Sequence, residues 1–116
     1  MKAALEKAQL TFDDMDLIEI NEAFACQFAA CHKELGFDMD KANLNGGAVA
    51  LGHPTGASGS RIMGHLSYEL QRTGKKYAIG AACKSLISTQ QSNVSHCVYS
   101  LGIGGGQGIA IVIERC

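Results

Sequence analysis

Residues 45–61 read NGGAVALGHPTGASGSR, the most distinctive stretch of the chain. Within it, His53 lies between a glycine and a proline, and most of its neighbours are small. A core histidine is normally packed by bulky side chains, whereas glycine lets the backbone of a ligand or partner come close. A helix is predicted to begin just after His53, and the positive end of a helix favours a neutral imidazole, which suits a general base. The alternative is a structural histidine that forms hydrogen bonds in a loop.

On either side of this stretch, hydrophobic residues recur at helical spacing in some segments. In other segments they form short apolar runs, which are typical of strands. Downstream of it, for example, Ile62, Leu66 and Leu70 recur at helical spacing. This alternation predicts an α/β fold, in which helices pack on a β-sheet. The predicted elements are, in chain order, a helix over Met1–Ala8, a strand over Leu17–Ile20, a helix over Glu22–Leu35, a loop over Asn43–Gly56, a helix within Thr55–Arg72 closed by Gly74, a strand over Tyr77–Cys83, a glycine turn over Gly102–Gly108 and a strand over Ile109–Glu114.

A second motif, NEAFA, covers residues 21–25, where a strand gives way to a helix. Polar groups at the carboxyl end of a strand point into the crevice where α/β proteins place ligands. The alternative is that Asn21 only caps the helix over Glu22–Leu35, with Glu22 favoured by the helix dipole. That helix is apolar over much of its surface, which predicts that it is well buried, and Gly36 ends it.

A third motif combines Cys83, at the end of an apolar strand, with the glycine cluster Gly102–Gly108. A cysteine in this setting is either a small buried hydrophobe or a reactive thiol. The glycine cluster is not a dinucleotide-binding loop, because it leads into the strand Ile109–Glu114 and not into a helix.

Length and composition exclude several classes of protein. The chain has 116 residues, which allows one domain at most, and a formal net charge of −1 with no basic block. Nothing in it attracts nucleic acid or an anionic membrane, and no apolar run reaches membrane-spanning length. Five cysteines without a CxxC pair favour reduced thiols over a disulfide framework or a zinc knuckle. A metal site built from Cys31, His32, His53 and Cys83 is disfavoured, because their spacing matches no known ligand pattern.

In this order along the chain, NEAFA, NGGAVALGHPTGASGSR, YAIGAAC and IGGGQGIAIVIE resemble the C-terminal region of thiolases. Thiolases make and break β-ketoacyl-CoA thioesters. The resemblance covers nearly the whole chain except Lys84–Gly102, and it is greatest to the 3-ketoacyl-CoA thiolases of fatty-acid breakdown, particularly the mitochondrial ones. It implies that residues 1–116 form the second half of a thiolase-like C-terminal domain, a β-sheet with packed helices.

The resemblance also implies roles for four residues. His53 corresponds to the base that takes the proton from the nucleophilic thiol, and Cys83 to the second active-site cysteine, which moves protons at the α-carbon of the acetyl group. Asn21 corresponds to the asparagine that holds a water, which forms one oxyanion hole together with His53. Gly104 would lend its backbone N–H to a second oxyanion hole.

Two departures from the family pattern bear on activity. No segment matches the setting of the nucleophilic cysteine, which thiolases carry in their N-terminal half, and Met1 already lies in a helical pattern, which suggests that the protein continues upstream. In addition, the 19 residues Lys84–Gly102 separate Cys83 from Ile103, which are adjacent in the family pattern. The codons of residues 83–85 can contain the splice-donor sequence GTAAGT, so one hypothesis is an in-frame retained intron. The other is a genuine loop insertion.

The resulting expectation is a C-terminal fragment of a 3-ketoacyl-CoA thiolase, an acyltransferase that is inactive without its nucleophile. Its substrates would be acyl-CoA and CoA with no bound cofactor, and its partners the missing N-terminal half and further copies in a homo-oligomer. The resemblance implies a mitochondrial location, although the chain carries no targeting segment. The alternative is a catalytically dead thiolase-like module that acts in assembly or lipid binding.

Overall fold

The structure is a computed structural model that describes residues 1–54, 56–83 and 108–116, with the backbone only at Cys83. Its sheet has three strands in the order β1-β2-β3, formed by Leu17–Ile20, Tyr77–Cys83 and Gly108–Glu114. Its helices, in chain order, are α1 over Lys2–Ala8, α2 over Ala25–Leu35, the four-residue α3 over Ala48–Leu51 and α4 over Ser58–Thr73, with a 3₁₀ turn over Met39–Lys41 between α2 and α3.

The sheet is mixed. Strand β1 runs parallel to β2, with Ile20 opposite Ala81, and β2 runs antiparallel to β3, with Cys83 opposite Gly108. A parallel pair needs a crossover connection, and α2, α3 and α4 all lie in the segment between β1 and β2. The predicted α/β fold is therefore confirmed.

The two faces of the sheet carry separate cores, because successive strand side chains alternate between faces. On one face, Ile18 and Ile79 pack with residues of α1 and with Phe37. On the other face, α4 packs its predicted apolar stripe against Leu17 and Ala78; the buried members of that stripe are Ile62, Leu66 and Leu70.

Helix α2 differs from the sequence prediction in two respects. It begins at Ala25 with Phe24 as its N-cap residue, so the predicted cap at Asn21 is wrong. Asn21 instead extends the pairing of β1, since its N–H donates to the carbonyl of Ala81 at 2.8 Å. The helix is also not buried, because no residue of it is fully covered and only one side, with Phe28 and Cys31, packs on the core.

The predicted helix ends are confirmed. Gly36 and Gly74 follow α2 and α4 with φ of 67° and 69°, left-handed values at which a glycine ends a helix without strain. The insertion Lys84–Gly102 and most of the predicted glycine turn lie outside the described residues. Within the described ranges, no helix combines the length and the apolar character that crossing a membrane requires.

Candidate active site

Asn21 lies where the pattern of the sequence predicts a ligand crevice, directly after the carboxyl end of β1. Its side chain is buried, and neither its amide oxygen nor its amide nitrogen has a hydrogen-bond partner among the described residues. The residue lines a cleft of about 270 Å³ together with Gln27, Cys31 and Ala82. Because a buried amide without a partner is costly, this geometry favours a polar group in the cleft as its hydrogen-bond partner.

His53 lies on an exposed turn between α3 and α4 and is oriented by Ser58. Its Nδ1 is 2.6 Å from the Oγ of Ser58, which is buried at the first position of α4. The same hydroxyl donates to the carbonyl of Pro54 at 3.2 Å. A hydroxyl has one proton, so both contacts are satisfied when that proton goes to Pro54 and the imidazole donates from Nδ1 to the hydroxyl. Nε2 is then the unprotonated nitrogen, which is the form a general base needs.

Glu22 joins the first two motifs. Its carboxylate accepts from the backbone N–H of Val49 and from the side chain of Asn43, both at 2.8 Å. Gly47 packs directly against the same carboxylate, where a β-carbon would collide with it. The function of Glu22 is therefore to hold the glycine-rich segment against the end of β1, and not to start α2 as the helix-dipole interpretation predicts.

Asn43 is a structural residue that the sequence analysis does not identify. Its backbone is left-handed, with φ of 48°, which asparagine tolerates better than most residues. Its side chain accepts from the N–H of Ile20 at 2.8 Å and donates to the carbonyl of Ile20 at 3.0 Å. It thus forms hydrogen bonds with both backbone polar groups of the last residue of β1, as a neighbouring strand would. An asparagine two residues before an NGG motif is the only signal the sequence offers.

The third motif is described in part. Cys83 is the last residue of β2, and Asn21 follows the paired end of β1, so the parallel pairing brings both to the same edge of the sheet. Gly104 lies outside the described residues. Among the described residues, His, Cys, Asp and Glu side chains form no group of three or more that could hold a metal ion.

Comparison with known proteins identifies the family. The profile of the family described as "Thiolase, C-terminal domain" matches residues 1–91. This chain belongs to the thiolase family. Its relatives include human mitochondrial 3-ketoacyl-CoA thiolase, 50% identical over 98% of the chain, and the acetyl-CoA acetyltransferase of Escherichia coli K12, 49% identical over 97%. The fold agrees with a crystal structure of the human enzyme in complex with CoA, with a TM-score of 0.80 over 99% of this chain and 50% identity.

This thiolase chain spans about a quarter of the length of the curated relatives, since it covers 24% of the human and Escherichia coli proteins. The family match ends at residue 91, inside the stretch Lys84–Gly102 that the motif pattern sets apart from the rest. The described thiolase motifs lie at one edge of the sheet and at the N-terminus of α4.

Proposed function

We propose that this chain supplies the C-terminal part of the active site of a 3-ketoacyl-CoA thiolase. The observation that carries the proposal is the pair His53–Ser58, in which a buried hydroxyl within hydrogen-bond distance of both Nδ1 and Pro54 favours the ring proton on Nδ1 and an unprotonated Nε2. Nε2 would accept the proton of a nucleophilic thiol supplied by the rest of the enzyme. Fold and identity to the human mitochondrial enzyme support this assignment.

The remaining roles follow the chemistry of the acyl transfer. Cys83 would exchange a proton with the α-carbon of the acetyl group, and the buried amide of Asn21 would hold a water that, with His53, stabilises the thioester oxyanion. The Gly104 N–H would serve a second oxyanion. The substrates would be acyl-CoA and CoA, and the chemistry requires no bound cofactor, because acyl groups pass through a covalent thioester on the enzyme.

A partner that completes the site is part of this proposal. Phe24 and Val49 are 72% and 73% exposed although both are large and apolar, and Leu51 is 59% exposed. These residues lie within the motifs that carry Asn21 and His53. Apolar side chains of this size next to an active-site edge are typical of a surface that another part of the polypeptide covers. We assign that part to the N-terminal half of a thiolase, within a homo-oligomer.

A mitochondrial location is likewise proposed. Mitochondrial thiolases from several mammals are about 50% identical to this chain, but a bacterial acetyl-CoA acetyltransferase is 49% identical. Subcellular fractionation of the source cells would test the location directly.

The function is tested in a chimera. The matching C-terminal quarter of human mitochondrial 3-ketoacyl-CoA thiolase is replaced by this chain without Lys84–Gly102, and acetoacetyl-CoA cleavage is measured with free CoA. We expect the chimera to be active, and His53→Ala to lower kcat by roughly 10²–10⁴-fold, the usual contribution of a general base. The 116-residue chain alone should be inactive.

Two further variants make this test specific. Cys83→Ser should cause a similar loss of activity, whereas Tyr68→Phe, on the exposed side of α4, should leave the rate unchanged. A folded chimera that turns over normally with His53→Ala would contradict the proposal. An inactive but folded chimera would favour the dead thiolase-like module instead.

A further inference from the structure

The acyl-transfer chemistry makes no use of the buried carboxylate of Glu19. This residue lies in β1, 3% exposed, on the face of the sheet that α4 covers. Burial raises the pKa of Glu19, and the hydrogen bond from His65 offsets part of that effect. A buried carboxylate is costly even when paired, and an apolar residue often gives equal or greater stability at such a site. Packing alone does not account for an acid here.

His65 connects Glu19 to the glycine-rich segment. Its Nδ1 is hydrogen-bonded to the Glu19 carboxylate, and its Nε2 is 2.9 Å from the side-chain nitrogen of Asn45. The atom of Asn45 that faces Nε2 is the amide nitrogen, which can only donate, so Nε2 accepts. The ring proton then lies on Nδ1, from which it is donated to the Glu19 carboxylate.

Helix α4 holds the segment 45–53 at three points. His65 contacts Asn45, Arg61 donates to the carbonyl of Gly52 at 2.6 Å, and Ser58 contacts His53 at 2.6 Å. Positions 58, 61 and 65 lie on one face of a helix, because they are three and four residues apart. This polar stripe runs beside the apolar stripe that packs on the sheet. At its His65 contact, the stripe is hydrogen-bonded to the buried carboxylate of Glu19.

We propose that Glu19 and His65 are positioning residues, which anchor the glycine-rich segment to β1 and thereby hold His53 in place at the start of α4. The role of His53 as a base rests on the proposed function, but the anchoring itself is a property of this chain. Two links carry it: Glu19 fixes the rotation and the tautomer of His65, and His65 fixes Asn45. Without the anchor, the side-chain contacts that remain for the short helix α3 and the turn at His53 are, among the described residues, those of Glu22 and of the N-terminal end of α4.

The first test needs no substitution. In ¹⁵N-labelled full chain at neutral pH, long-range proton–nitrogen correlation spectra distinguish the two imidazole tautomers. We expect His65 to carry its proton on Nδ1 and to show an unprotonated, acceptor-type Nε2. A ring protonated on Nε2, alone or together with Nδ1, would overturn the proposal, because Asn45 could then not donate to it.

The second test compares three variants of the full chain by backbone relaxation. His65→Phe keeps the ring volume but removes both hydrogen bonds, so the order parameters of the Ala48–Leu51 amides should fall from about 0.85 to below about 0.6, while those of β2 stay rigid. Glu19→Gln keeps an acceptor for Nδ1 and should retain the wild-type values. Tyr68→Phe, the exposed control on the same helix, should change nothing.

Unchanged Ala48–Leu51 order parameters in His65→Phe would overturn the proposal, and so would an equal loss of order in β2, which would indicate a merely structural role. If His65→Phe does not fold, the tautomer of His65 in the wild-type chain decides. These readouts need no turnover, so an ordered loop in a chain whose chimera is inactive would refute only the proposed function.

Discussion

At the scale of single residues, the position of one proton determines what the site can do. Ser58 favours one position for that proton, because a hydroxyl that donates to Pro54 accepts from the Nδ1 of His53. The nitrogen that is left free is Nε2, which points away from the serine. The tautomer of His53, the proposed base, thus depends on a neighbouring side chain, and that dependence can be measured.

Ser58→Ala should lower kcat of the thiolase chimera by about tenfold or more, but by less than the roughly 10²–10⁴-fold of a lost general base, because the ring remains and only its orientation and tautomer are released. KM should change little. The matched control is Ser60→Ala, an exposed serine in the same turn of α4. An equal effect of the two substitutions in steady-state kinetics would contradict the role of Ser58.

The residue scale is also where prediction from sequence was least complete. His53 and Asn21 stand out because their neighbours are unusual for the core of a protein, and the structure places Asn21 in a cleft and His53 on an exposed turn. Ser58, His65 and Glu19 do not stand out, since a serine in a glycine-rich stretch, a histidine in a helix and a glutamate in a strand are unremarkable singly. Their roles arise from contacts across up to 46 positions of the chain, which no local pattern encodes.

At the scale of elements, periodicity predicted most of the fold. The strands Leu17–Ile20 and Tyr77–Cys83 have their predicted bounds, and the apolar stripe of α4 packs as expected. The predicted start of α2 was wrong because the backbone N–H of Asn21 donates to Ala81, which places Asn21 in the sheet and not at the helix. The short helix α3 was missed because its four residues are too few to show a period.

Close packing between α4 and β2 depends on Gly80. A β-carbon on this residue would lie 2.8 Å from Ile62 and 3.1 Å from Leu66, both on the buried stripe of α4. Gly80→Ala should therefore lower the free energy of unfolding by roughly 1–3 kcal/mol, as overpacking of a core usually does. Gly64→Ala is the matched control, because nothing lies within 4 Å of its β-carbon position and alanine should stabilise a helix there by roughly 0.5–1 kcal/mol. Urea unfolding of both variants measures the changes in the free energy of unfolding, which should have opposite signs.

Asp16 ties the turn before β1 to the first residues of β2. Its carboxylate accepts from the backbone N–H groups of Tyr77 at 3.0 Å and Lys76 at 2.9 Å, and the bond from Tyr77 is the main reason that its pKa lies below the usual value. A lowered pKa means that the folded chain favours the charged form. The stabilisation is therefore complete above the unfolded pKa, near 3.8, and is lost as the pH falls through the lower folded pKa.

Asp16→Ala should lower the urea midpoint at pH 7, with a loss of about 1 kcal/mol for a partly exposed site, and the difference from wild type should shrink in acid below pH of about 4. Glu34→Gln removes an exposed ion pair with Lys2 and should have little effect at either pH. A difference between Asp16→Ala and wild type that does not depend on pH would show that the carboxylate is not the source of the stabilisation.

At the scale of the whole molecule, the described part is one sheet with helices on both faces and an exposed apolar region at one edge. Phe24, Val49 and Leu51 expose apolar surface beside Asn21 and His53, which is the arrangement expected of a domain that is covered by other parts of its enzyme. The length of the chain relative to its relatives, 24%, agrees with this. What the resemblance cannot explain at this scale is the stretch Lys84–Gly102.

Deleting Lys84–Gly102 should stabilise the chain. Strands β2 and β3 pair as far as Cys83 and Gly108, so the deletion shortens their connection from 24 residues to the five residues 103–107, a common length for a hairpin loop. By length alone, the entropy of closing the loop falls by about 1.4 kcal/mol, since each doubling of length costs about 0.6 kcal/mol. Urea unfolding should therefore show a gain of about 1 kcal/mol, with cross-strand contacts between residues 83 and 108 unchanged. A loss of stability would instead mean that the inserted residues pack on the fold, which would favour a genuine loop over the retained-intron hypothesis; the genomic and transcript sequences around codons 83–102 give the independent check.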